Sequence, residues 1–96
     1  MIEIRKTEQF SEWFAGLRDR QARVRIQARI DRAGLGNFGD VKPVGGGVSE
    51  MRIHYGPGYR VYFIQQGLII VILLGGGDKS TQSQDIAAAS ELARQL

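Results

Sequence analysis

The sequence predicts an α+β domain in which two helices near the N-terminus precede a set of short antiparallel strands and a closing helix. Three observations predict it. Apolar residues recur at helical spacing through the first third of the chain. Alternating apolar and polar residues, broken by glycine-rich turns, follow from about residue 40. A capping signal at Thr81 then opens a last segment of helical spacing.

Met1–Arg5 alternates Ile2, Glu3, Ile4, Arg5, the period of a short half-buried strand. Thr7 suits a helix N-cap. Phe10, Trp13, Phe14 and Leu17 follow the i, i+3, i+4, i+7 pattern of one apolar face and read as core. A second helix, from about Arg20 to Ala33, carries Ala22, Ile26, Ile30 and Ala33 on one side, and Gly34 and Gly36 stop it. Six arginines lie between Arg18 and Arg32. Arg25, Arg29 and Arg32 form a stripe that fits either a solvated face or phosphate contact, because guanidinium forks onto phosphate oxygens.

Asp40–Val44 reads as an edge strand, since Pro43 has no N–H to give a central ladder. Gly45–Gly47 turns the chain. Val48–Tyr55 alternates, Gly56-Pro57-Gly58 turns, and Tyr59–Gln65 alternates again. Gln66-Gly67 is a tight hairpin turn. Leu68–Leu74 is continuously apolar, as in a strand covered on both faces, and Gly75–Gly77 ends it. Thr81-Gln82-Ser83-Gln84 fits a capping box. The final helix, about Gln82 to Arg94, offers only Ile86, Ala89 and Ala93, so it should be the least firmly docked element.

With 96 residues the chain is one domain, residues 1–96, and its 43% apolar content excludes disorder. The absence of cysteine excludes disulfides and thiolate metal sites. The N-terminus lacks the apolar run of a signal peptide. The longest apolar run, Leu68–Leu74, is far short of the roughly 20 residues a membrane helix needs. A soluble, cytoplasmic protein with no membrane partner is expected. The formal charge of +3 and pI of about 9.7 are mildly basic, so the placement of the charges matters more than their sum.

Alternation puts Val48, Glu50, Arg52 and His54 on one strand face, and Ser49, Met51, Ile53 and Tyr55 on the other. The next strand divides into Arg60, Tyr62, Ile64 against Tyr59, Val61, Phe63. With a Gly56–Gly58 loop, Tyr55 faces Tyr59, His54 faces Arg60 and Arg52 faces Tyr62. Two arginines, one histidine and one tyrosine then share a sheet face, with Asp78 and Lys79 delivered nearby. Arg60, on a middle strand, needs an anionic partner, either Glu50 or Asp78.

Such a cluster has neither a metal-ligand set nor a recognisable Ser/His/Asp arrangement, and no cofactor is expected. It sets dense positive charge around one imidazole and one phenol. That suits a phosphodiester whose charge rises in the transition state. RNA cleavage by the 2′-hydroxyl needs a base, cations around the pentacoordinate phosphate, and an acid for the leaving oxygen. Cross-strand arginine, histidine and tyrosine are also ordinary residues of a solvent-facing sheet surface. Gly75-Gly76-Gly77-Asp78-Lys79-Ser80-Thr81 is not a phosphate-binding P-loop, because Asp78 rather than glycine precedes Lys79 and the strands read as antiparallel hairpins.

Val48-Ser49-Glu50-Met51-Arg52-Ile53, Gly56-Pro57-Gly58-Tyr59-Arg60-Val61-Tyr62-Phe63, Gly75-Gly76-Gly77-Asp78-Lys79-Ser80-Thr81-Gln82 and Asp85-Ile86 together resemble the phage-derived, Gp49-like or HigB-type branch of the RelE/ParE superfamily, the addiction-module killer proteins. The resemblance covers nearly the whole chain, including Trp13 and the Asn37–Gly39 turn. It implies a small antiparallel sheet with two N-terminal helices packed on one face and a C-terminal helix. It also implies a toxin–antitoxin toxin that cuts mRNA at the ribosome as a metal-independent endoribonuclease and inhibits translation. A helix-turn-helix, HigA-like antitoxin would neutralise it, and their complex would bind operator DNA.

Carried over by residue, the resemblance makes Arg60 the arginine on the scissile phosphate, aligns Arg52 and His54 with the basic pair one strand earlier, and puts Lys79 at the basic position after the last strand. RelE-type enzymes carry a late tyrosine, which this chain lacks. His54 is the first choice of base, since histidine ordinarily titrates near neutrality. Tyr62 and Asp85 follow, and Gln82 is assigned a hydrogen bond to a base or phosphate. Arg25, Arg29 and Arg32 are the expected RNA-binding stripe. Two other outcomes belong to the same superfamily: a ParE-like gyrase poison that acts by binding, or an inactive homologue kept as co-repressor.

Overall fold

The computed structural model describes residues 1–96. Its elements are β1 (Glu3–Lys6), α1 (Glu8–Ala15), α2 (Arg20–Gly34), β2 (Val41–Gly45), β3 (Val48–Ile53), β4 (Tyr59–Gln66), β5 (Ile70–Gly77), a 3-10 turn (Lys79–Thr81) and α3 (Gln82–Arg94). The α+β class and the three helices are as the sequence predicts. No helix is long and apolar enough to cross a membrane.

The five strands run in the order β1-β5-β4-β3-β2. The sheet is mixed, not purely antiparallel: β1 lies parallel to β5, with Glu3 beside Ile70 and Lys6 beside Leu73. A parallel neighbour requires a long crossover, and here nearly the whole domain lies between the two strands. Thr7 fixes this junction. Its Oγ1 accepts from the Phe10 amide at 3.2 Å, capping α1, and donates to the Leu73 carbonyl of β5 at 2.8 Å.

Both sheet faces are covered. On one, α1 and α2 pack Phe10, Ile26, Ile30 and Ala33 onto Met51, Ile53, Val61, Phe63, Val71 and Leu73. On the other, α3 sets Ala89 against Val48, Tyr62, Ile72 and Leu74. Each large apolar side chain so buried contributes roughly 1.5–3 kcal/mol, and the first face holds most of them.

Four local expectations are corrected. The β3–β4 pairing is two residues off the predicted one: Ile53 faces Tyr59, Met51 faces Val61, Arg52 faces Arg60 and Glu50 faces Tyr62. The Gly58 amide bonds to the Tyr55 carbonyl, so the turn already begins at Tyr55 and the strand ends at Ile53. A two-residue shift keeps each side chain on its face, which is why the apolar layer survives it. Leu68 and Ile69 are not in the last strand; they form the β4–β5 turn and are 90% and 61% exposed. Gly75–Gly77 continues β5 instead of ending it. Thr81 makes no cap; its hydroxyl donates to Asp85 at 2.5 Å instead.

Gly76 lies against the Trp13 ring, and a Cβ there would come within 2.3 Å of the indole. We expect Gly76→Ala to destabilise the fold by about 1–3 kcal/mol, the usual effect of overpacking a filled site. Gly75→Ala, whose Cβ meets nothing within 4 Å, is the control, and urea unfolding of both variants measures the difference.

Candidate functional site

The cationic residues singled out in the sequence converge. Arg52 on β3, His54 and Tyr55 just beyond it, the Gly56–Gly58 turn, Arg60 on β4 and Lys79 after β5 line one cleft of about 400 Å³. A Cβ built on Gly58 would stand 3.2 Å from Arg60 Nη1 and 3.4 Å from the Lys79 stem, so those two side chains flank the same glycine. The Lys79 amide also reaches the Pro57 carbonyl at 3.5 Å, which holds the 3-10 turn against the loop. Lys79 is exposed and has no carboxylate partner.

Each other cation rests on an anion. Arg60 is buried, with Nε 3.5 Å from Glu50 Oε1, and Glu50 is itself buried. Of the two partners the sequence allowed Arg60, Glu50 is the one used. Asp78 instead accepts from the Ser80 amide and hydroxyl. Arg60 Nη1 donates to the Gly58 carbonyl at 2.8 Å, while Nε has no hydrogen-bond partner. Arg52 donates to Asp40 Oδ1 at 2.8 Å, and His54 Nε2 lies 2.5 Å from Asp40 Oδ2. Three fixed cations (Arg52, Arg60, Lys79) face two carboxylates (Asp40, Glu50), which leaves the cleft positive before His54 is counted.

Arg52, then His54, hydrogen-bonds the Asp40 carboxylate and holds its pKa down to about 2. The lowered value sets the sign of its pH effect. The clasp stabilises the fold fully above the usual carboxylate range, and that contribution is lost as pH falls through about 2.

Two predicted site residues do not reach the cleft. Tyr62 is fully buried under α3, where its hydroxyl donates to Glu50 Oε2 at 3.3 Å. Burial first, then the charge of Glu50, pushes its phenol well above the ordinary tyrosine value, so it keeps its proton at neutral pH. Gln82 spends its Nε2 on the same Glu50 oxygen at 2.6 Å. Both serve the support beneath Arg60. The sequence assumed an open face where α3 in fact lies. Asp85, with Tyr62 one of the two base candidates after His54, takes the Thr81 hydroxyl and lines a separate groove between α1 and α3.

The arginine stripe divides. Arg29 is a structural tie: Nη1 donates to the Arg52 carbonyl at 2.5 Å, and Nη2 to the carbonyls of Phe38 and Asp40 at 3.0 and 3.3 Å. It packs so closely on Gly39 that a Cβ there would stand 2.9 Å from Nη2, and φ of +68° already reserves the position for glycine. Arg25 lies over the Tyr55 ring at 4.6 Å. Arg32 is exposed and has no ion pair. Together with His54 these three arginines line a hollow of about 270 Å³, and since His54 also lines the cleft, the two cationic surfaces meet at its imidazole.

Sequence reading missed Asp40. It stands 14 positions before His54, and its alternation signal marked only the start of an edge strand. The signal available was the lone carboxylate following the Asn37–Gly39 turn, opposite two basic residues.

No family model matches the chain. A protein of Haemophilus influenzae, described as an uncharacterized protein, is 50% identical over 95 residues, which span 99% of this chain and 96% of that protein. Identity at that level over nearly the full length of both chains leaves no room for a chance match, and the chain belongs to the same family as this H. influenzae protein.

Proposed function

We propose that the chain is the toxin of a type II toxin–antitoxin system, of the Gp49-like, HigB type within the RelE/ParE superfamily. On this reading it acts in the cytoplasm, cuts mRNA on the ribosome, and is silenced by a helix-turn-helix antitoxin whose complex with it binds operator DNA. The observation that carries the reading is the convergence of Arg52, His54, Arg60 and Lys79 on one open cleft.

The chemistry needs two proton transfers and stabilisation of extra negative charge. His54 takes the proton of the 2′-hydroxyl, whose oxygen attacks the adjacent phosphorus. The phosphorus–O5′ bond breaks, leaving a 2′,3′-cyclic phosphate, the departing oxygen takes up a proton from water, and His54 returns its proton to solvent. Arg60 and Lys79, on either side of Gly58, face the phosphate oxygens whose charge grows at the transition state. The hollow lined by Arg25, Arg29 and Arg32 continues the positive surface and suits the flanking phosphates of the strand or ribosomal RNA.

Expression of the chain without an antitoxin should arrest growth, and primer extension on mRNA from those cells should show new 5′ ends. Lys79→Ala, at an exposed position whose loss leaves the core untouched, should abolish both effects while unfolding at the wild-type denaturant midpoint. Intact mRNA beside blocked DNA supercoiling would overturn the reading in favour of a gyrase poison. A fully toxic Lys79→Ala would remove Lys79 from the mechanism.

A further inference from the structure

We infer that Asp40 is the positioning residue of this cleft, holding His54 with its Nε2–H toward the carboxylate so that Nδ1 is the atom free to accept a proton. The inference deepens the functional reading above and rests on it for its catalytic half only.

The Asp40 carboxylate has two side-chain partners: Oδ1 accepts from Arg52 Nη2 at 2.8 Å and from its Nε at 3.3 Å, and Oδ2 lies 2.5 Å from His54 Nε2. An ionised carboxylate has only acceptor atoms. Of the two partners across the His54 contact, only Nε2 can then supply the hydrogen. The neutral imidazole must keep its proton on Nε2, and Nδ1, which has no hydrogen bond in the structure, carries the lone pair. The other charged residues that line the cleft and the hollow beside His54 are cationic: Arg52 from β3, Arg60 from β4, Lys79 beyond β5, and Arg25, Arg29 and Arg32 from α2, while the one further carboxylate, Glu50, is buried beneath Arg60. Without Asp40 the ring has nothing to orient it.

Asp40 is itself held independently of its side chain. Its carbonyl accepts from the Arg52 amide at 3.0 Å and from Arg29 Nη2 at 3.3 Å. Removing the carboxylate therefore leaves the loop anchored through the backbone, and the functional effect can be read apart from folding.

His54 is the single histidine, so its two ring nitrogens give unambiguous signals in a long-range proton–nitrogen spectrum. In the wild-type chain above the pH where the imidazole is charged, we expect one nitrogen of N–H type, Nε2, and one bare nitrogen, Nδ1. In Asp40→Ala the two should move toward the mixture seen in free histidine. Identical nitrogen shifts in the two proteins overturn the inference, whatever the protein does to RNA.

The functional arm uses a 2′-deoxy dinucleotide as a binding probe and programmed ribosomes as substrate. Loss of Asp40 removes a negative charge from the cleft, so the probe should bind several-fold tighter. Turnover should fall about 10-fold or more, as when a general base loses its orientation. A merely structural role lowers both together. Asp40→Asn, which keeps one acceptor, should recover part of the turnover. An Asp40→Ala protein that cuts at the wild-type rate overturns the positioning role and leaves the nuclease reading standing. A wild-type chain that cuts no RNA, while the nitrogen shifts move as expected, removes the nuclease reading and leaves Asp40's hold on His54 established.

Discussion

Arg60→Ala should lose RNA cleavage by about 10²–10³-fold, the usual effect of removing one preorganised donor from a site of developing negative charge. Its position explains the size of the effect. The guanidinium is almost sealed, fixed by the Gly58 carbonyl on one side and Glu50 on the other, and needs no reorganisation when the phosphate charge rises. Arg60→Lys keeps the charge but lacks the planar fork, so most of the activity should stay lost. Arg60→Ala also strands Glu50, so the folded fraction of each variant must be measured beside its cleavage rate on ribosomes. Unchanged cleavage by a folded Arg60→Ala would take the cleft out of the mechanism.

Glu50→Ala should be the most destabilising single change near the site, by about 3–5 kcal/mol, because it leaves a buried guanidinium without its counter-charge. Three groups from two elements depend on this carboxylate: Arg60 and Tyr62 on β4, and Gln82 on α3. Glu50→Gln retains an acceptor for Tyr62 or Gln82 and should cost less than the alanine variant. Urea unfolding of the pair separates the charge from the hydrogen bonds. If Glu50→Ala unfolds at the wild-type midpoint, the carboxylate is not the foundation of this corner.

Elements whose signal is local were legible. The Phe10–Leu17 stripe, the Ala22–Ala33 face and the Thr7 cap all appear where spacing puts them. The convergence of Arg52, His54, Arg60 and Lys79 was legible too, because strand alternation fixes faces and a two-residue slip preserves them. What alternation cannot report is which face a later helix will cover. Tyr62 and Gln82 were read as open-surface chemistry and instead join Glu50, already a candidate partner of Arg60, in a support beneath it, since α3 arrives from the far end of the sequence. The parallel β1–β5 pairing was hidden for the same reason, as no local pattern ties Glu3 to Ile70. Arg29 shows a third limit. A helix stripe gives the direction of a side chain but not whether three backbone carbonyls already occupy it.

The placement of β1 at the side of β5 bears on how the molecule is born. Strand β1 precedes its hydrogen-bonding neighbour by most of the domain, with Glu3 beside Ile70, so this edge of the sheet waits until β5 has been synthesised. Lys79 and Gln82 come later still. A nascent chain therefore carries no finished cleft until Lys79 has been added, and whatever the cleft does begins only after that point.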